Sequence, residues 1–182
     1  AVTTGYGALT LTDTANTISA SALDDVRVIS GLSGRLVLPS TATLTVAQVA
    51  GGLTAVQGTA GQSNEQVGLA INSAILGGGT INKEGAGVLQ LGGYSSLSLT
   101  VNVNAGGLVL GATSSSAGSN YADAAVSLAG AGAILDLRGN SNIALGTVTG
   151  VATSVIKNFN TTAGATLVTG NSVSGTFAGT FA

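Results

Sequence analysis

One five-residue phrase constrains this chain more than any other: Gly-x-Leu-x-Leu, which stands at Gly7 to Leu11, Gly34 to Leu38, Gly87 to Leu91 and Gly106 to Leu110. A near copy, "GAILDL" from Gly132 to Leu137, carries one extra residue. Leucines two apart lie on the same face of an extended strand, and the preceding glycine suits a corner between strands. The four starts are 27, 53 and 19 residues apart. Such uneven spacing speaks against a strict propeller, while the recurring rung speaks for stacked coils with loops of variable length.

Elsewhere the period is two. In "SLSLTVNVN", Leu97, Leu99, Val101 and Val103 alternate with Ser98, Thr100, Asn102 and Asn104, a half-buried strand with one polar face. The same alternation marks "ALTLT", "DVRVI", "TLTV", "LDLR" and "TFAGTF". Helix signals are weak, and 29 glycines in 182 residues work against long helices. The segment "SNEQVGLAINSAIL" reads either as a short helix starting near Ser63, with Glu65 in its first turn, or as a strand around Val67 to Ile71.

An all-β chain is therefore expected, a parallel β-helix (β-solenoid) with irregular coil lengths. Inward Leu, Val and Ile would stack from coil to coil, and outward Thr, Ser and Asn would form polar ladders. Coils of ~20 residues would give roughly eight or nine turns and a rod near ~40 Å long. The alternative is a β-sandwich, which also has many short strands and Gly-rich turns. Against it stand the absence of Asn-Gly and Asp-Gly hairpin signals and a total of only six aromatic residues. The whole of 1–182 reads as a single β-helical domain with repeat-like segments at 3–38 and 77–112.

The stretch "GGGTINKEGAGVLQLGGYSSLSLTVNVNAGGLVLGA", Gly77 to Ala112, resembles the passenger-associated repeat of autotransporter proteins. The matching residues are Lys83, Gly85, Gly87, Leu89, Leu91, Tyr94, Asn104, Ala105, Gly106, Leu108 and Leu110. A weaker echo covers "TTGYGALTLTDTANTISAS" and "SGRLVL", with threonine where the repeat has lysine, and residues 113 to 170 match only in general character. The resemblance implies a right-handed parallel β-helix carried outside the bacterial cell as a stalk, adhesin or surface-layer element. It makes Lys83 an expected part of the pattern, which we read, with Glu84, as a solvated turn.

Composition removes most chemistry. The chain has no His and no Cys, so imidazole catalysis, thiolate chemistry, disulfides and nitrogen or sulfur metal sites are excluded. The basic residues Arg27, Arg35, Lys83, Arg138 and Lys157 are scattered singly, which does not make a nucleic-acid surface. No apolar run reaches the ~18 residues of a membrane helix. Three tyrosines, Tyr6, Tyr94 and Tyr121, are too few for the girdles of a membrane barrel. Charged residues are 7 % of the chain, against about 25 % in ordinary soluble domains. That surface, built from Thr, Ser, Asn and Gly, and an opening on Ala1-Val2 compatible with a processed or excised segment, suggest a secreted or cell-surface location.

Carbohydrate cleavage needs two carboxyl groups facing one sugar. Asp24 and Asp25 are adjacent and would face opposite sides of a strand, so they read as a polar corner. Asp136 and Arg138 read as a same-face ion pair on the exterior, and Asp13, Asp123 and Glu65 as turn residues. The tyrosines are spaced without a clear platform for a carbohydrate. Thr-x-Thr steps at Thr10/Thr12 and Thr43/Thr45 suit an ice-binding face but do not recur at a fixed interval.

What remains is a non-enzymatic, cofactor-free structural or assembly module: a segment of a surface adhesin or a subunit of an extracellular filament. Its expected partners are further copies of itself or a host or neighbouring surface. The C-terminal "GNSVSGTFAGTFA" shows no charged or helical cap, and Phe177, Phe181 and Val173 there are the candidate assembly residues. A carbohydrate-binding or carbohydrate-cleaving β-helix is the alternative, and an ice-binding protein a lesser one.

Overall fold

The computed structural model describes residues 2–3, 8–10, 17–20, 27–30, 35–37, 40–46, 67–71, 74–76, 79–92, 98–110, 121–139, 143–160, 163–170 and 174–182. They form a β-solenoid with no helix among them. The first three turns each lay down three strands: β1 (Val2–Thr3), β2 (Ala8–Thr10) and β3 (Thr17–Ala20); β4 (Arg27–Ser30), β5 (Arg35–Val37) and β6 (Thr41–Val46); β7 (Val67–Ile71), β8 (Ala74–Leu76) and β9 (Thr80–Glu84). Two turns follow with two described strands each, β10 (Val88–Leu91) with β11 (Thr100–Val103), and β12 (Gly107–Leu110) with β13 (Ala125–Leu128). Then come β14 (Ile134–Asp136), β15 (Ile143–Leu145) and β16 (Thr147–Gly150), next β17 (Val155–Lys157) and β18 (Leu167–Thr169), and last β19 (Thr180–Phe181).

Like positions of successive turns pair into sheets. The longest runs β1-β4-β7-β10-β12-β14-β17-β19, the second β3-β6-β9-β11-β13-β16, and two small ones β2-β5-β8 and β15-β18. Every pairing is parallel, which a hairpin-linked sandwich cannot produce. Partners in the long sheet lie 27 (Val2, Ile29), 42 (Ile29, Ile71), 20 (Ile71, Leu91), 19 (Leu91, Leu110), 27 (Val109, Asp136), 21 (Asp136, Lys157) and 25 (Ile156, Phe181) residues apart. The coils are irregular in length, and the ambiguous segment at Val67–Ile71 is a strand.

Stacked aliphatic columns make the core. Leu69, Leu89, Leu108, Leu135 and Ile156 pair in succession along the long sheet, and Ala42, Ile81, Val101, Val126 and Val148 along the second. All ten are buried. Each large aliphatic member contributes about 1.5–3 kcal/mol by leaving water, so the narrow interior is stabilised without aromatic bulk.

The Leu-x-Leu phrase marks a rung, but not always the same one. Leu89 and Leu91 lie beside Leu108 and Leu110 in the long sheet, whereas Leu9 lies beside Leu36 in a small sheet. The intervals of 19 and 27 residues are therefore single coils, while the interval of 53 crosses between sheets. In "GAILDL" Ile134 is in register with Gly107, so Ala133, not Gly132, takes the place of Gly106.

Candidate functional site

The charged residues come first, because burial changes their meaning. Lys83 follows Ile81 on the strand and shares a rung position with Leu44 and Val103, which places it inside the coil. Its side chain is wholly buried, which corrects the expected solvated turn. The ammonium donates to the carbonyl oxygens of Glu84 (3.0 Å) and Gly85 (2.6 Å) in its own turn and of Ala105 (2.8 Å) in the next. Burial pulls its pKa down to about 8, while the Glu84 carboxylate pulls the other way. Three carbonyls around one buried ammonium tie two corners together.

Asp136 and Arg138 form the expected ion pair, Nε to Oδ2 at 2.9 Å, but both side chains are buried, which corrects their placement on the exterior. The physical reason is a tight turn. Arg138 takes a left-handed backbone (φ 49°), folding its guanidinium back onto the carboxylate. Asp136 Oδ1 accepts from the backbone N–H of Arg138 at 2.8 Å and from that of Phe159, in the following turn, at 3.2 Å. The carboxylate is thus occupied in joining two turns and does not face a cleft.

Tyr121 is buried, and its hydroxyl donates to the carbonyl oxygen of Leu91 at 3.2 Å, so it offers no ring for stacking on a sugar. Burial pushes its hydroxyl well above the usual tyrosine range. Asp123 sits exposed in a turn. Tyr6, Tyr94, Asp13, Asp24, Asp25 and Glu65 lie outside the described residues. Among the described residues, no three acidic side chains gather into a metal-binding group.

The remaining candidate is the end of the stack formed by β16, β18 and β19, each the last strand of its sheet. Phe181 pairs with Ile156 and thus continues the inward leucine column, yet it is 72 % exposed; Val168 on β18 is 45 % exposed. Phe177 forms a single parallel bridge with Gly150 and packs partly buried against the core. The rings of Phe177 and Phe181 meet edge to face, 5.3 Å between centroids and 69° apart. Val173 lies outside the described residues.

Between these edges opens a groove of about 510 Å³, floored by Val148, Ile156 and Leu167 and walled by Phe177 and Phe181. Its floor is the core seen end-on. From Asn158 to Ala182 the chain carries no charge and no proline. Those are the residues that ordinarily guard an open strand edge. Leu167, Val148 and Ile156 were missed as members of this surface by the sequence reading. Only their alternation marked them, and alternation does not tell which rung lies last. Compared with protein-family models, with curated proteins and with solved structures, the chain has no match.

Proposed function

We propose that this chain is a non-enzymatic structural and assembly module, a β-solenoid segment of a bacterial surface adhesin or extracellular filament. Its last coil receives a coil from another copy. One observation carries the reading: at the β16–β18–β19 end the apolar column is open, with Phe181 72 % exposed, and neither charge nor proline protects the strand edges.

The occupant that fits is a second copy of the chain. Its β1 and β3 are the first strands of the two parallel sheets whose last strands are β19 and β16. Head-to-tail stacking of this kind is heterologous and does not close, so it produces filaments rather than dimers. Location outside the cell is supported by the resemblance to autotransporter passenger repeats and by a surface nearly free of charge.

Negative-stain electron microscopy and light scattering over a range of concentrations test the reading. Elongated, concentration-dependent assemblies are expected, and deletion of residues 171 to 182 should abolish them. A monomer at every concentration, or unaltered polymers from the truncated chain, would dismiss it.

A further inference from the structure

A different surface, the outer face of the second sheet, raises a separate question. From β6 to β16 its register runs without a shift: Thr43, Asn82, Asn102, Ser127 and Thr149 occupy one outward column, and Thr41, Thr80, Thr100, Ala125 and Thr147 its neighbour, in which only Ala125 is apolar. The long sheet, in contrast, slips between Val88 and Leu89. Partners in the long sheet are 19 to 42 residues apart, yet the polar columns stay in register from strand to strand of the second sheet. This alignment was invisible as a fixed interval in the sequence.

The array is neutral. The only charged side chain along these columns is Glu84 at the margin, whose carboxylate accepts from Asn104 Nδ2 at 2.6 Å. Asn102 Nδ2 donates to Asn82 Oδ1 at 2.9 Å, tying adjacent rungs. Among the described residues, no aromatic ring stands in these columns for a sugar to stack on, and no cations gather there for phosphate or nucleic acid. What it presents is hydroxyl and amide groups about 4.8 Å apart between rungs and about 6.6 Å apart along each strand. Threonine is stiff at its first side-chain torsion, so its hydroxyl and methyl are already positioned and little entropy is lost on contact.

We propose that this face binds ice. The partner such an array fits is itself neutral, periodic in two directions, and both donor and acceptor at each site, which describes a lattice of ordered water. Charged side chains would have to surrender their hydration to lie against such a lattice, and here they are almost absent.

The test measures thermal hysteresis and the uptake of fluorescently labelled protein into a growing ice front. The chain itself, the double variant Thr80→Tyr/Thr100→Tyr, and Ala163→Tyr, at an exposed position between β17 and β18 of the other sheets, are compared, with circular dichroism confirming that each is folded. Hysteresis and uptake are expected for the chain and for Ala163→Tyr, and their loss for the double variant. Exclusion of the unaltered chain from ice, equal uptake of the double variant, or retention on crystalline cellulose or chitin in place of ice would overturn the proposal. Assembly through the coil end is read separately by microscopy, so either idea can fail alone.

Discussion

The same leucine column behaves in two ways along the molecule. In the middle turns Leu89, Leu108 and Leu135 are completely buried, and Ile156 one turn later is nearly so. One turn further Phe181 holds the corresponding position and is 72 % exposed. Nothing in the rung itself separates these cases, since strand, register and inward direction are shared. Burial in a solenoid belongs to a pair of coils, so an identical rung is core when a neighbouring coil covers it and exposed when none does.

The largest expected effect breaks that comparison directly. Leu108→Ala should cost about 2–5 kcal/mol of stability, because a covered column loses both transfer energy and packing. Phe181→Ala should leave the melting temperature of the monomer nearly unchanged while abolishing assembly. Equal destabilisation by both, measured by thermal and denaturant unfolding at low concentration, would show the last coil to be as closed as the middle.

Next in size is a corner of the middle coils. Gly106 has φ +68°, and a Cβ there would be driven into the carbonyl oxygens of Gly87 and Gly85. Gly106→Ala is expected to cost about 1–3 kcal/mol, whereas Gly164→Ala, with open space around it and no positive φ, should cost little. Denaturant midpoints of the two variants check this.

The smallest effect depends on pH. Lys83 titrates near 8 in the folded chain and near 10.5 when unfolded, so between those values unfolding takes up a proton and stability rises with pH. Tyr121 acts oppositely above pH 10, where the unfolded chain loses a proton that the buried hydroxyl keeps. Lys83→Met should therefore flatten the rise between pH 8 and 10, as followed by chemical denaturation at fixed pH steps. An unchanged slope would mean that the ammonium is not buried between the two corners.

Much of this architecture was legible in the residues. Alternation at Leu99, Val101 and Val103 and the Leu-x-Leu rungs identified strands and inward positions, and Leu36, Leu89, Leu91, Leu99, Val101, Val103, Leu108 and Leu110 are buried. What was not legible depends on neighbours distant in sequence. Lys83 resembled a surface lysine because its three carbonyl partners, one of them 22 residues away, cannot be seen from its own strand. Asp136 and Arg138 were expected outside because the covering Phe159 backbone belongs to the next turn. Gly107, next to the corner glycine Gly106, lies within β12, and only the register with Val88 shows that the strand begins there.

The polar columns of the second sheet were hidden for a related reason. Coil lengths differ, so Thr43, Asn82 and Asn102 stand at unequal intervals although each pairs with the next. Phe177 and Phe181 were singled out from an uncapped segment, whereas the groove floor they border emerged only from the stacking.

Head-to-tail addition is tested most directly by covalent capture. The chain has no cysteine, so Thr3→Cys on β1 and Thr180→Cys on β19 introduce the only thiols. Neighbouring parallel strands lie about 4.8 Å apart, within reach of a disulfide. Oxidation of the double variant should yield a ladder of covalent multimers on a non-reducing gel, while each single variant stays at monomer and dimer. A double variant that also stops at dimers, or does not cross-link, would contradict assembly through the open coil end.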